Sequence, residues 1–206
     1  MTPPAVFTPD NEPYLGRQTV YVLDTLITSA LDLNRRVAAR THKYALSPLQ
    51  QAATQIVPQG FNLALSVREL VRQGHLFSAA VLLRPLMERA ALMSYLWRQP
   101  ESVGLWHAGW PHKGRPSLVD MLAEMEPGKD REVARQVSNH LSHLVHGDPL
   151  GASYNLVPLG DEALGYGVGR VLGRADLCDF VCDQTISWLS VLCSVTAAVF
   201  PTETKA

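Results

Sequence analysis

This sequence predicts an all-α fold, a bundle of five to seven helices with a Gly-rich loop or small hairpin before the last one. Three observations carry that expectation. Apolar residues recur at three- and four-residue spacings through most of the chain, capping residues and glycines punctuate those stretches, and only one Gly-rich segment reads as a possible pair of strands. With 206 residues, 47% hydrophobic and 18% charged, the chain can bury a core of its own. Residues 1–11 hold three of the fourteen prolines and read as a flexible arm, which leaves 12–206 as a single helical domain.

The elements follow in order. From Glu12 to about Lys43, Tyr14, Val20, Leu23, Leu26, Ile27, Leu31, Leu33 and Val37 recur at helical three- and four-residue spacings. Arg35, Arg36 and Arg40 lie near the end of this helix, where cations suit the dipole. Ser47 before Pro48 is an N-cap with proline at the first helical position. It opens a second helix that runs to Gln73, bends around Pro58 and Gly60, and stops at Gly74. His75 to Gln99 is apolar all round and should lie at the centre of the bundle, with Pro85 either bending it or marking where its α-helical part starts. Residues 101–116 read as a short helix and a loop. Ser117 with Asp120 opens a helix through Met125, and 130–146 forms another, ended by Gly147 and Pro149. Residues 147–174 hold seven of the fourteen glycines and form a hairpin or an ordered loop. The last helix, Ala175 to Phe200, is uncharged from Gln184 onward. Its Ser, Thr and Gln content favours a buried core or dimer-interface helix over a membrane span.

Composition excludes several functions. A formal charge of −1 gives no basic excess for coating nucleic acid or an acidic membrane, although one nucleotide in a pocket stays possible. No apolar leader opens the chain, so a cytoplasmic home with reduced thiols is the expectation. Cys178 and Cys182, four apart on one helix face, then read as buried structural residues. Phosphate-loop, dinucleotide and nucleophile-elbow motifs are missing, so no cofactor is expected.

Two helical constellations carry candidate chemistry. Arg84 and Glu88 sit four apart on the most apolar helix and can pair; half-buried charges of this kind either mark a site or fix a helix register. Arg135, Asn139, Ser142 and His146 form a polar stripe about 60° wide at 3.6 residues per turn, with Val133, Val137, Leu141, Leu144 and Val145 on the other side. Ser, Asn and His suit positioned hydrogen bonding better than solubility, although a solvated helix face is the plainer reading. His140, His143 and His146 have metal-like spacing, but a regular helix spreads them over about 120°, so no metal is expected. Trp106, His107, Trp110 and His112 could line an apolar pocket or simply cap the core.

The run Phe77-Ser-Ala-Ala-Val-Leu-Leu-Arg84-Pro-Leu-Met-Glu88-Arg-Ala, then Tyr95-Leu-Trp97, and later Leu141-Ser142-His-Leu-Val-His146-Gly147, resembles a family of uncharacterised bacterial helical proteins. In that family an Arg-x-x-x-Glu helix precedes a Ser-x-x-x-His-Gly helix. The similarity spans roughly residues 60–150. More distantly, Arg135-Gln-Val-Ser-Asn-His140 with Glu88 is similar to the signature of the HEPN superfamily, many of whose members are metal-independent ribonucleases of toxin–antitoxin and phage-defence systems. That resemblance implies an RNA-cleaving toxin or defence effector whose catalytic candidates are Arg84, Glu88, Arg135, His140, Ser142 and His146. Asn139, His143 and Tyr95 would touch substrate. Its expected partners are RNA or a nucleotide, a second copy in a homodimer, and an antitoxin or defence-operon protein, with no membrane. The rival expectation is a non-catalytic binding or regulatory protein that uses the same polar cluster structurally. On a regular helix Arg135 shares a face with His146 and not with His140, so either histidine is a candidate base.

Overall fold

Apolar spacing directs most of the long elements, and caps fix the ends of the second, Pro48–Gln73. In a computed structural model, which describes residues 12–111, 114–125, 131–160, 163–166 and 168–201, the chain is an all-α bundle. Five long helices dominate it: α1 (Gln18–Thr41), α2 (Pro48–Gln73), α4 (Leu83–Arg98), α7 (Arg131–Val145) and α9 (Ala175–Val199). Four short ones join them: α3 (Leu76–Val81), α5 (Ser102–His107), α6 (Leu118–Met125) and α8 (Pro149–Ala152). The expected N-terminal arm lies outside the described residues.

Local chemistry fixes the boundaries. Ser47 accepts from the Gln50 backbone N–H while the Gln50 side chain accepts from the Ser47 N–H, a reciprocal capping box that opens α2. Gly74 closes it at φ +81°, the left-handed conformation that glycine adopts without steric cost. Ser117 and Asp120 exchange the same pair of bonds before α6. Two expectations need correction. The first helix starts at Gln18, because residues 13–16 form a turn. The stretch 75–99 is two helices broken at Leu82. Pro85 explains the break: it lacks an N–H for the Val81 carbonyl, but as the third residue of α4 it occupies a turn whose N–H groups need no intrahelical acceptor.

The core is one continuous apolar cluster fed by α1 to α7 and α9. Helix α4 is central: Leu83, Leu86, Met87, Ala90, Ala91, Met93, Ser94 and Leu96 are all buried, against α2, α9, α6 and α7. Gly60 on α2 permits a close approach to α9, since a Cβ there would stand 2.3 Å from Leu192 Cδ1. By length and composition α9 could cross a membrane, yet ten of its residues are buried in the bundle, among them Leu177, Val181, Thr185, Leu189 and Leu192.

The Gly-rich segment folds into a hairpin of β1 (Leu156–Pro158) and β2 (Leu164–Tyr166), antiparallel, with Leu156 opposite Tyr166 and Pro158 opposite Leu164. The chain after it is tied to the N-terminal half. The Val171 N–H donates to the Gly74 carbonyl at 2.8 Å, and the Tyr14 hydroxyl donates to the Val171 carbonyl at 2.5 Å. Burial pushes the Tyr14 hydroxyl above its ordinary pKa. Arg17 and Thr19 both hold Asp179, and the Arg17 guanidinium pulls that carboxyl below its ordinary range.

Candidate functional site

Helices α4 and α7 meet through a polar clamp. Arg84 donates from Nε to Glu88 Oε1 at 2.9 Å, one turn along α4. Its Nη1 reaches across to α7, to the Ser138 carbonyl, Ser138 Oγ at 3.3 Å and Ser142 Oγ at 2.5 Å. Ser142 Oγ in turn donates to the Ser138 carbonyl at 2.9 Å. The second carboxylate oxygen of Glu88 lies 3.9 Å from Arg89, whose Nε is held by Gln59 of α2. Arg84 keeps only 20% of its side-chain surface exposed, so these bonds replace most of its hydration. Arginine suits the task, because its fixed fork can serve a carboxylate along one helix and hydroxyls on another at once.

Of the sequence-derived candidates, Arg84, Glu88 and Ser142 therefore stand together, and Ser138 joins them. Ser138 was not singled out in the sequence. Its signal was the Ser138-x-x-x-Ser142 spacing beside Leu141 and Leu144, two small hydroxyls on the face that turns inward. The remaining candidates stand elsewhere. His146 is exposed just past the end of α7, where its backbone N–H donates to the Ser142 carbonyl. Arg135 is exposed and paired with Glu132. His143 Nδ1 lies 2.8 Å from Asp148. Asn139 is exposed. Tyr95, half-buried, receives a long 3.4 Å bond from Ser102 Oγ at its hydroxyl. The inward stripe of α7 is Ser138, Leu141 and Leu144, which leaves Arg135, Asn139 and His146 on the solvent side.

His140 belongs to a second feature. Its ring stands edge-on to Phe180, with centroids 5.5 Å apart, at the mouth of a cleft of 370 Å³ lined by His140, Ser153, Tyr154, Arg174, Asp176 and Phe180, with Leu177 beneath. Tyr154 lies 6.3 Å from the same Phe180 ring. Burial pushes the Tyr154 hydroxyl above its ordinary pKa. Arg174 grips Asp176 through Nε and Nη2 and pulls that carboxyl below its ordinary range. The cleft thus combines two aromatic faces, an imidazole, a hydroxyl and a neutralised ion pair. Sequence reading missed all of these but His140, since they come from the hairpin approach and the first turns of α9.

The tryptophan loop gives less. Trp106 and Trp110 pack against the core, and the exposed His107 ring stands against Trp106 with its Nε2 3.4 Å from the Pro48 carbonyl. His112 lies outside the described residues. Among the described residues no three His, Cys, Asp or Glu side chains gather as metal ligands would. Cys178 and Cys182 lie buried in α9, and the hydrogen bond to Cys178, with burial, pushes the Cys182 thiol far up. No protein-family model matches the chain, and neither a curated protein nor a solved structure is significantly similar to it.

Proposed function

We propose that this protein acts by binding, with the α4–α7 clamp as its brace and the His140 cleft as its ligand site. One observation carries the reading: Arg84 commits both Nε and Nη1 to groups of its own chain. Metal-free RNA cleavage needs a base within hydrogen-bond reach of the 2′-hydroxyl and a cation on the phosphate. Around the clamp those groups are dispersed, with His146 in solvent, His143 on Asp148 and Arg135 on Glu132.

The cleft fits a single nucleoside or nucleotide. Its volume lies within the range of small-ligand sites, roughly 300–1,000 Å³. Phe180 and Tyr154 offer faces for a planar base, and stacking of this kind is worth about 1–3 kcal/mol. The Asp176 carboxylate can accept from ribose hydroxyls. A chain without basic excess suits a lone nucleotide better than a long polyanion. Calorimetric titration with nucleosides and nucleoside monophosphates tests this. Saturable binding that Phe180→Ala abolishes supports the reading, and heats no larger than dilution for all of them refute it.

A second reading is the HEPN-like RNA-cleaving effector, now centred on the cleft. It is favoured by His140 sharing that cleft with Arg174, an imidazole that can serve as base beside a guanidinium that would exchange Asp176 for the phosphate. His140 would take the 2′-hydroxyl proton as that oxygen attacks the adjacent phosphate, which gives a 2′,3′-cyclic phosphate and a free 5′-hydroxyl. RNA cleavage that survives chelator and disappears in His140→Ala would establish it. Intact RNA with the wild-type protein would remove it.

A further inference from the structure

A second cavity, of 180 Å³, lies at the far end of α9 from the His140 cleft. Phe180 at the cleft and Thr196 at the cavity are separated by about 24 Å along that helix, at 1.5 Å per residue, so the two spaces are distinct. Thr196 and Phe200, both 1% exposed, form its floor, and α1 and α2 form its walls.

The lining is selective in what it can accept. Val37, Ala53, Val57 and Phe200 make it apolar, and no charged side chain lines it among the described residues. Three threonines line it too, but each spends its hydroxyl on its own helix. Thr41 donates to the Ala38 carbonyl at 2.8 Å, Thr54 to Gln51 at 2.7 Å and Thr196 to Leu192 at 2.6 Å. Two polar groups remain. The first is the Thr54 carbonyl. In a regular helix it would accept from residue 58, and Pro58 has no N–H to give. Thr54 and Pro58 both line the cavity, so the freed carbonyl lies on the stripe between them. The second is the half-buried Asn34 carboxamide on the α1 wall, which has no hydrogen-bond partner among the described residues.

Size and chemistry together define a ligand. An apolar cavity of about 150 Å³ stays dry and holds benzene. This one is slightly larger, which leaves room for one substituent on such a ring. A charged ligand would meet no counter-charge here. A wholly apolar one would cover the Thr54 carbonyl without satisfying it, and an unmet buried polar group is costly.

We infer that this cavity is a second ligand site, for a small uncharged ring that carries one hydroxyl or N–H. The ring fills the apolar space, its donor meets the Thr54 carbonyl, and Asn34 offers a further bond from the α1 wall. Pro58 is then a specificity residue, because it keeps that carbonyl free.

NMR titration of the full chain with phenol and with toluene tests this, since the two rings match in size and differ in the donor. Both should shift the signals of Val37, Ala53 and Thr196 saturably. Pro58→Ala supplies the Thr54 carbonyl with an N–H from its own helix. The phenol-to-toluene affinity ratio should then fall about three- to tenfold, the worth of one neutral hydrogen bond, while toluene binds as before. Ala38→Phe, which fills the cavity from α1, should abolish both. If neither ring shifts those signals at millimolar concentration, the site is overturned, as it is by phenol binding that Ala38→Phe leaves intact. An unchanged ratio in Pro58→Ala overturns the role of the carbonyl.

Discussion

Helices α4 and α7 are almost equal in length, 16 and 15 residues, yet eight residues of α4 are buried and three of α7. Each is polar on one stripe, and the two stripes meet at Arg84 and Ser142. The difference lies in what surrounds them. Helix α4 is enclosed by α2, α9, α6 and α7, whereas α7 leans on the bundle from one side. A charge on α4 is thus obliged to find a partner, because burial makes an unpaired one costly. Polar groups on α7 need none, since water serves most of them. The same residue types act as structure on one helix and as plain surface on the other.

The largest effect expected is in the enclosed helix. Leu86→Ala should cost about 3–5 kcal/mol in urea denaturation, at the upper end for a large-to-small core change, because its fully enclosed site cannot collapse. Leu141→Ala on α7, equally buried but near the margin, should lie nearer 2 kcal/mol. Equal losses would erase the contrast between the two helices. Next is Gly60→Ala, whose new methyl meets Leu192 between α2 and α9. Overpacking there should cost about 1–3 kcal/mol, and Leu192→Ala in the same chain should recover part of it.

The clamp should respond more modestly. Arg84→Met leaves Glu88 and two serines without their donor and should cost about 1–3 kcal/mol. Adding Glu88→Leu should return a good part of that loss, since the stranded carboxylate goes with it. A double-mutant cycle with additive effects would show that the pair is not coupled.

Acid should act more weakly still, through carboxylates held by arginines. Arg72 and Gln73 hold Glu69 at a pKa of about 2, and Arg17 with Thr19 holds Asp179 below its ordinary range. A depressed carboxylate contributes fully above its unfolded pKa, about 4, and loses that contribution as pH falls through the folded value. Thermal midpoints should therefore be flat above pH 5 and decline from about pH 4 toward 2. Asp179→Asn should flatten part of that decline. The smallest effect concerns Cys193, which burial pushes up to about 11. Its alkylation at pH 8 should be far slower than that of an unfolded control, because so little thiolate is present.

The bundle was largely legible before the fold was seen, because its signals are local. Ser47–Pro48, Gly74 and Ser117–Asp120 act through bonds to residues within a turn, and they set boundaries whatever packs outside. The break at Leu82 was half-visible in Pro85. The site was less legible. Helical geometry put Arg135, Asn139, Ser142 and His146 in one stripe, but the structure divides it, with Ser142 on Arg84 and the other three exposed, and periodicity alone does not say which side faces a partner helix. Leu141 and Leu144 decided it, and they turned Ser138 inward with them. His140 became interesting only through Phe180 and Tyr154, which arrive from distant parts of the chain.

By itself, then, the sequence determined that this chain is helical, where most helices begin and end, and which one is central. Those outcomes depend on backbone capping and apolar spacing, both written in consecutive residues. Only the tertiary structure decided that Arg84 reaches across to α7, that His140 stands at a cleft and His146 in solvent, and that the Gly-rich segment is a hairpin. Each of these depends on which surfaces remain after the core has formed, and that is a property of the whole packing and not of any one segment.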